Sequence, residues 1–190
     1  MQRAGLHLTP RSPHEVRIIG GSWKRSKLPV AHSPGLRPTP DRVRETLFNW
    51  LGQDLSGWSC LDAFAGSGAL GFEAASRGAT EVRMLEADRA LARSLQSTQA
   101  RLGASAVRVD CTDALAWMAR APAGCFDLVF IDPPFDSALA LDALPVALRL
   151  VRATGYLYLE AQSPLAALPE GWQMHRQSRA GRVHFHLLRR

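Results

Sequence analysis

The stretch LDAFAGSGAL, residues 61–70, decides the fold. An apolar strand ends on an acid, Asp62, and a turn containing Gly66 and Gly68 leads at once into a helix. In open α/β sheets the ligand crevice lies at the carboxyl ends of the strands, so such a turn opens onto a binding site. Glycine there lets the backbone approach a ligand where a Cβ would collide. A GxG turn alone is weak evidence. The letters run GxGxxG from Gly66 to Gly71, as in a dinucleotide fingerprint, yet Asp62 stands ahead of them. A carboxylate at that strand end repels a pyrophosphate and suits a cationic ligand.

Working outward, strand and helix patterns alternate. SCLDAF reads as a strand, ALGFEAASRG as a helix, EVRMLEA as a strand, and DRALARSLQSTQARLG as a helix with Leu91, Leu95 and Leu102 on one face. AVRVD, FDLVFID and GYLYLE are further strands, separated by the helices TDALAWMAR and ALALDALPVALRL, the latter kinked or broken near Pro145. SRAGRVHFHLLRR alternates and could add an antiparallel strand. Repeated strand–helix units with near-continuous apolar strands imply a mostly parallel sheet with helices on both faces, a doubly wound α/β domain over residues 53–190. Upstream, RPTPDRVRETLFNWLG carries helix punctuation: Thr39 as N-cap, Pro40 at the first helical position, Asp41 in the first turn and Gly52 past the end. Val43, Leu47, Trp50 and Leu51 form its apolar face. VRIIGGSWKRSKLPV is compatible with a small hairpin, so residues 16–52 read as a basic hairpin and helix, and residues 1–15 as a disordered tail.

The strand ends hold the chemistry. Glu86 lies 18 residues beyond Gly68, the spacing of an acid that accepts from a ribose diol. Asp110 and Asp113 follow the next strand; either could accept from an adenine amino group, and Asp113 could also cap a helix. Adenosylmethionine, with its ammonium, sulfonium, ribose and adenine, suits this set. FIDPPF, residues 130–135, opens onto the same crevice. A nitrogen conjugated with an aromatic ring has a delocalised lone pair, and accepting its protons helps free that pair. Asp132 supplies one acceptor and the carbonyl of Pro133 a second. Pro133 and Pro134 fix the backbone, and Phe135 offers a face for an extruded base. A tight Asp-Pro turn with Phe135 in the core is the bland alternative.

The charge is segregated. Residues 1–50 hold nine Lys/Arg and three Asp/Glu, a net of +6, whereas residues 51–190 hold fourteen of each. A basic arm around SWKRSK, with Lys24, Arg25 and Lys27, is the footprint of a phosphate-rich partner, although a solvated tail would look the same. Cys60, Cys111 and Cys125 are too few and too dispersed for a disulfide framework or a metal knuckle and read as small buried hydrophobes. His184 and His186 share a strand face without a third ligand nearby, which favours surface or RNA contact over a metal. With neither a membrane-length apolar run nor a secretion signal, a cytoplasmic location without membrane contact is expected.

RIIGGSWKRSKLPV, RPTPDRVRETLFNWL, LDAFAGSGALGFEA and FIDPPF together resemble the RsmD-like 16S rRNA guanine-N2 methyltransferases, of the Rossmann-like class I adenosylmethionine-dependent fold. The likeness runs from about Arg17 to Glu160 and weakly beyond. It implies that Asp62, Phe64, Gly66 and Gly68 cradle the methionine moiety, that Glu86 binds ribose, and that Asp113 with Ala114 meets adenine. It further implies that Asp132 to Phe135 hold the target guanine. Thr39, Arg37, Arg42 and Arg44 would lie near the methionine end and the RNA backbone, with Arg17, Lys24, Arg25 and Lys27 adding RNA contacts. The extra residues 1–15 and Pro40 depart from the family pattern. The expected reaction is direct in-line methyl transfer from adenosylmethionine, without metal, by a monomer acting on 16S rRNA or a partly assembled small subunit. An adenine-N6 DNA methyltransferase, a protein glutamine methyltransferase and a catalytically silent RNA-binding assembly protein are the rivals.

Overall fold

A computed structural model of the protein describes residues 15–30, 39–134 and 139–190. Of the expected disordered tail 1–15, residues 1–14 lie outside them, whereas Glu15 is already in a strand and pairs with Pro29. Strands β1 (Glu15–Arg17) and β2 (Lys27–Pro29) form a separate antiparallel pair. Helix α1 (Asp41–Leu51) follows. The alternating region then gives β3 (Ser59–Asp62), α2 (Ala69–Ser76), β4 (Glu81–Glu86), α3 (Arg89–Leu102), β5 (Val107–Cys111) and α4 (Ala114–Arg120). After these come β6 (Phe126–Ile131), α5 (Leu139–Leu150), β7 (Val151–Ala161), β8 (Gln173–Ala180) and β9 (Val183–Arg189). The seven-stranded sheet has the order β5-β4-β3-β6-β7-β9-β8, with β5 through β7 parallel and the last two strands antiparallel. This is the doubly wound, mostly parallel architecture expected.

Sheet burial explains the apolar runs. On β6, Leu128 and Phe130 join the core shared with α1, α2, α3 and the β1–β2 pair, while Val129 and Ile131 join the core beneath α4 and α5. All four are fully buried, because a strand covered on both faces has no polar side.

Four expectations change. Pro145 neither breaks nor ends α5, which runs on to Leu150. Its ring is exposed, and the carbonyl it leaves unpaired belongs to Leu141 on the solvent face, where water can serve it. The C-terminal stretch yields two strands, and β9 inserts between β7 and β8, so the later strand is interior. Cys60 is buried as expected, but Cys125 is half-buried and Cys111 exposed. His186 lies in the interior, away from solvent.

The hairpin and α1 are tied to the sheet by Glu73 of α2. Its carboxylate is fully buried and accepts from the amides of Ile19 (2.7 Å) and Gly20 (2.8 Å) and from Arg77 (2.8 Å). Arg44 approaches at 3.5 Å, and its guanidinium also donates to the carbonyl of Arg17 at 2.9 Å. Next to this cluster Gly21 adopts a positive φ of 73°, and a Cβ there would meet the carbonyl oxygen of Ser76 at 1.8 Å. Removing Glu73 strands two buried guanidinium groups and two amides. Glu73→Ala is expected to lower the unfolding free energy by about 3–5 kcal/mol, read from the denaturant midpoint at unchanged m-value. A midpoint equal to that of the parent chain would count against the cluster as a structural tie.

Candidate active site at the carboxyl edge of the sheet

Parallel strands end on one edge, and in this chain the ends are acidic. Asp62 closes β3, Glu86 closes β4, Asp113 follows β5, Asp132 follows β6 and Glu160 is the penultimate residue of β7. Register sets them side by side: Asp62 pairs with Met84 and Phe130, Glu86 with Cys111, and Ile131 with Leu159.

Asp62 is buried in the turn. Its Oδ2 accepts from the amide of Gly71 at 3.0 Å, and Oδ1 is buried without a partner. Burial pushes this carboxyl up to about 7; the Gly71 amide opposes the rise, while the charges of Asp132 and Glu86 add to it. Gly68 has φ 76° and sits so close to Phe72 and Leu95 that a Cβ would come within 2.6 Å and 2.7 Å of them, which holds the loop down on α2. Gly66 also has a positive φ, 51°. Phe64 is half-buried beside this loop. Glu86 accepts from the amides of Gly66 (2.9 Å) and Asp88 (2.8 Å), one on each oxygen. Each oxygen retains capacity for a further hydrogen bond.

Asp110 and Asp113 have different partners. Asp110 is taken by Arg83 at 2.8 Å. Asp113 is exposed and caps α4, accepting from Ala116 at 2.7 Å, with Ala114 buried behind it.

Asp132 stands at the centre. Thr39 does not cap α1; Pro40 occupies that position without a side-chain bond, and the Thr39 hydroxyl instead donates to Asp132 Oδ2 at 2.6 Å. On the neighbouring strand the Tyr158 hydroxyl donates to Glu160 Oε1 at 2.7 Å, and the carboxyls of Glu160 and Asp132 are hydrogen-bonded to each other. Burial raises Asp132 to about 6 against the opposing bonds from Thr39 and Glu160. Burial, then the charge of Asp132, raises Glu160 well above the ordinary carboxylate range. Pro133 is buried and Pro134 exposed; Phe135 lies outside the described residues. Glu160 and Tyr158 escaped the sequence reading because GYLYLE reads only as a strand. The usable signal was an acid closing an otherwise apolar strand.

The basic residues divide. Arg44 is fully buried, held by Asp41 at 2.5 Å as well as by Glu73, so it has no surface to offer an RNA phosphate. Its expected role in RNA contact is replaced by a structural one. Arg37 falls outside the described residues. Arg17, Lys24, Arg25 and Arg42 are exposed, and Lys27 pairs with Glu15 at 2.8 Å. The Gly21–Ser26 turn docks on Ser76, at the opposite end of α2 from the glycine loop. A second basic strip was missed. Arg176, Arg179 and Arg182 are exposed on β8 and its turn, no described carboxylate pairs with them, and the turn lies at the same sheet end as Asp132. Among the described residues no cluster of metal-ligating side chains occurs, and no helix is long and apolar enough to cross a membrane.

A doubly wound parallel sheet with a glycine turn after the first acidic strand end, a second acid one strand over and DPP after the fourth defines a methyltransferase of the Rossmann-like class. The family described as Conserved hypothetical protein 95 matches residues 16–189, and the chain belongs to it. Ribosomal RNA small subunit methyltransferase D of Escherichia coli K12 is 43% identical over 93% of this chain and 90% of that one. The protein of the same name from Haemophilus influenzae is 41% identical over 94% and 96%. The solved yhhF structure from Escherichia coli superposes with a TM-score of 0.84 at 39% identity, covering 93% of this chain and 98% of the other.

Because Asp62 and Asp132 bind protons more tightly when folded than their ordinary 3.8, they favour the folded chain below about pH 4. That contribution is lost as pH rises through about 6 to 7. The ligand-free protein should therefore lose stability between about pH 4 and pH 7. In Asp62→Asn that loss should shrink by on the order of 1–3 kcal/mol, measured by denaturant unfolding at each pH. An identical pH slope in the variant would rule out Asp62 as its source.

Proposed function

We propose that the chain transfers a methyl group from adenosylmethionine to the exocyclic N2 of a guanine in small-subunit ribosomal RNA. The observation that carries this reading is Asp132, held by Thr39 at the end of β6 in the same crevice edge as Asp62 and Glu86. The names of the relatives support the substrate class.

The residues present fit the cofactor. Asp62 Oδ1, buried and unpaired, is an acceptor awaiting a donor, and the surrounding carboxylates favour a cation. Asp62 with Gly66 and Gly68 would hold the methionine end, Glu86 the ribose hydroxyls, and Asp113 with Ala114 the adenine. When bound, adenosylmethionine supplies an electrophilic methyl group on a positively charged sulfur. Asp132 accepts from an N–H of the target amine, which lessens delocalisation of the nitrogen lone pair into the ring. It also stabilises the positive charge that grows on that nitrogen. Pro133 and Pro134 hold the turn so that no ordering cost falls on the reacting geometry.

The RNA backbone meets basic surfaces on two sides of the sheet, the hairpin residues Lys24 and Arg25 and the β8 turn residues Arg179 and Arg182. Reversing either pair to Glu should weaken RNA binding and reduce the salt slope by about one for each phosphate no longer neutralised. A slope unchanged by one reversal removes that pair from the interface.

The reading is tested by transfer of labelled methyl to 16S RNA or immature small subunits, followed by nucleoside analysis. N2-methylguanosine is expected with the intact chain. Asp132→Ala should cut transfer by about 10²-fold or more while cofactor affinity stays within a few fold. N6-methyladenosine, or label found only on protein, would overturn the substrate assignment.

A further inference from the structure

Glu160 is 5% exposed, and the partners that surround it serve no purely structural need. Its Oε1 receives the Tyr158 hydroxyl at 2.7 Å, and its carboxyl is hydrogen-bonded to that of Asp132, which on its other side receives the Thr39 hydroxyl at 2.6 Å. Two carboxyl groups in hydrogen-bond contact cannot both be ionised, because the bond itself requires a hydrogen between them. The pair therefore carries one proton near neutral pH.

Which member holds it follows from the partners. Asp132 is the less buried of the two and receives the Thr39 hydroxyl at 2.6 Å, both of which favour its anion. Glu160 is buried whereas Asp132 is only partly so. Burial of Glu160 and the negative charge of Asp132 favour its protonated form against the hydroxyls of Tyr158 and Thr39, which favour the ionised one. Asp62 on β3 also lies within the field of Asp132. From β9 the residue opposite Glu160 is Phe185, which does not titrate. His184 and His186 pair with Ala161 and Leu159, so they point to the other face of the sheet. Arg44, the buried cation on α1, is committed to Glu73 and Asp41. No described positive charge favours ionised Glu160.

We propose that Glu160 is a positioning residue: it stays protonated and donates to Asp132, so that Asp132 remains an anion with one oxygen fixed by two neighbours and its acceptor capacity aimed at the amine. This rests on the role assigned to Asp132 above. The arrangement resolves a conflict at that residue, since a lone buried carboxyl takes up a proton and ceases to accept, while a well-solvated one would not be held in place.

The test compares Glu160→Gln, Glu160→Ala and Tyr158→Phe with the parent chain, measuring kcat, KM and pH dependence of transfer to small-subunit RNA. Cofactor affinity is read separately by calorimetry and folding by denaturant unfolding. The Gln amide can donate to Asp132 while its oxygen still accepts from Tyr158, so it reproduces the neutral acid. Glu160→Ala should lower kcat at least about 10-fold at unchanged cofactor affinity. Glu160→Gln should restore most of that loss. The parent chain should lose rate on the alkaline side as Glu160 gives up its proton, and Glu160→Gln should lack that alkaline limb. Should Glu160→Ala fail to fold, the alkaline limb of Glu160→Gln decides alone. Glu160→Gln as slow as Glu160→Ala, or with the parent's alkaline limb, overturns the proposal. An inactive parent chain that still binds cofactor would instead count against the substrate reading.

Discussion

The structure turns on a carboxylate that never meets water. Glu73 is buried under the hairpin and α1, and it can remain there only because two amides and two arginines surround it. A charge so placed is costly unless every partner is present, so the cluster acts as an all-or-none fastening. It joins three pieces distant in sequence: the Ile19–Gly20 turn, α1 and the helix that begins at the glycine turn. Because Arg44 also donates to the carbonyl of Thr39, the fastening extends to the residue that touches Asp132. The N-terminal segment is thereby part of the site as well as a candidate RNA arm.

A second constraint is topological. Parallel strands deliver their carboxyl ends to one edge, and this chain ends five of them in or beside acids. The accumulated negative charge would be destabilising were it all ionised. Burial pushes the carboxyls of Asp62, Asp132 and Glu160 up toward protonation, while backbone amides hold Glu86 and the Thr39 hydroxyl holds Asp132. The edge is thus poised to lose protons when a cation arrives.

Most of this was legible in the sequence because it depends on local pattern. Apolar strands, glycine turns and strand-end acids are read from neighbouring letters, and Asp62, Glu86 and Asp132 occupy the edge that the alternation assigns them. What escaped reading depends on distant partners. Thr39 looks like an N-cap until Asp132, ninety-three positions away, is brought beside it. Arg44 looks like a phosphate ligand in a basic run, yet Glu73 draws it inside. Cys111 reads as a core residue, but β5 is an edge strand and leaves its last residue open to solvent. Glu160 acquires meaning only from the β6–β7 register.

The order of the last strands has a consequence for how the chain is made. Strand β8 is synthesised before β9 but can join the sheet only through it, and until β9 arrives the edge of β7 stands open with Leu157 and Leu159 on it. Parallel pairing is already slow because its contacts span long loops, and an open apolar edge is a template for pairing with other chains. A nascent chain that stalls before Val183 is therefore exposed to aggregation along the apolar part of β7, and proteolytic trimming of β9 would detach β8 with it instead of merely shortening the rim.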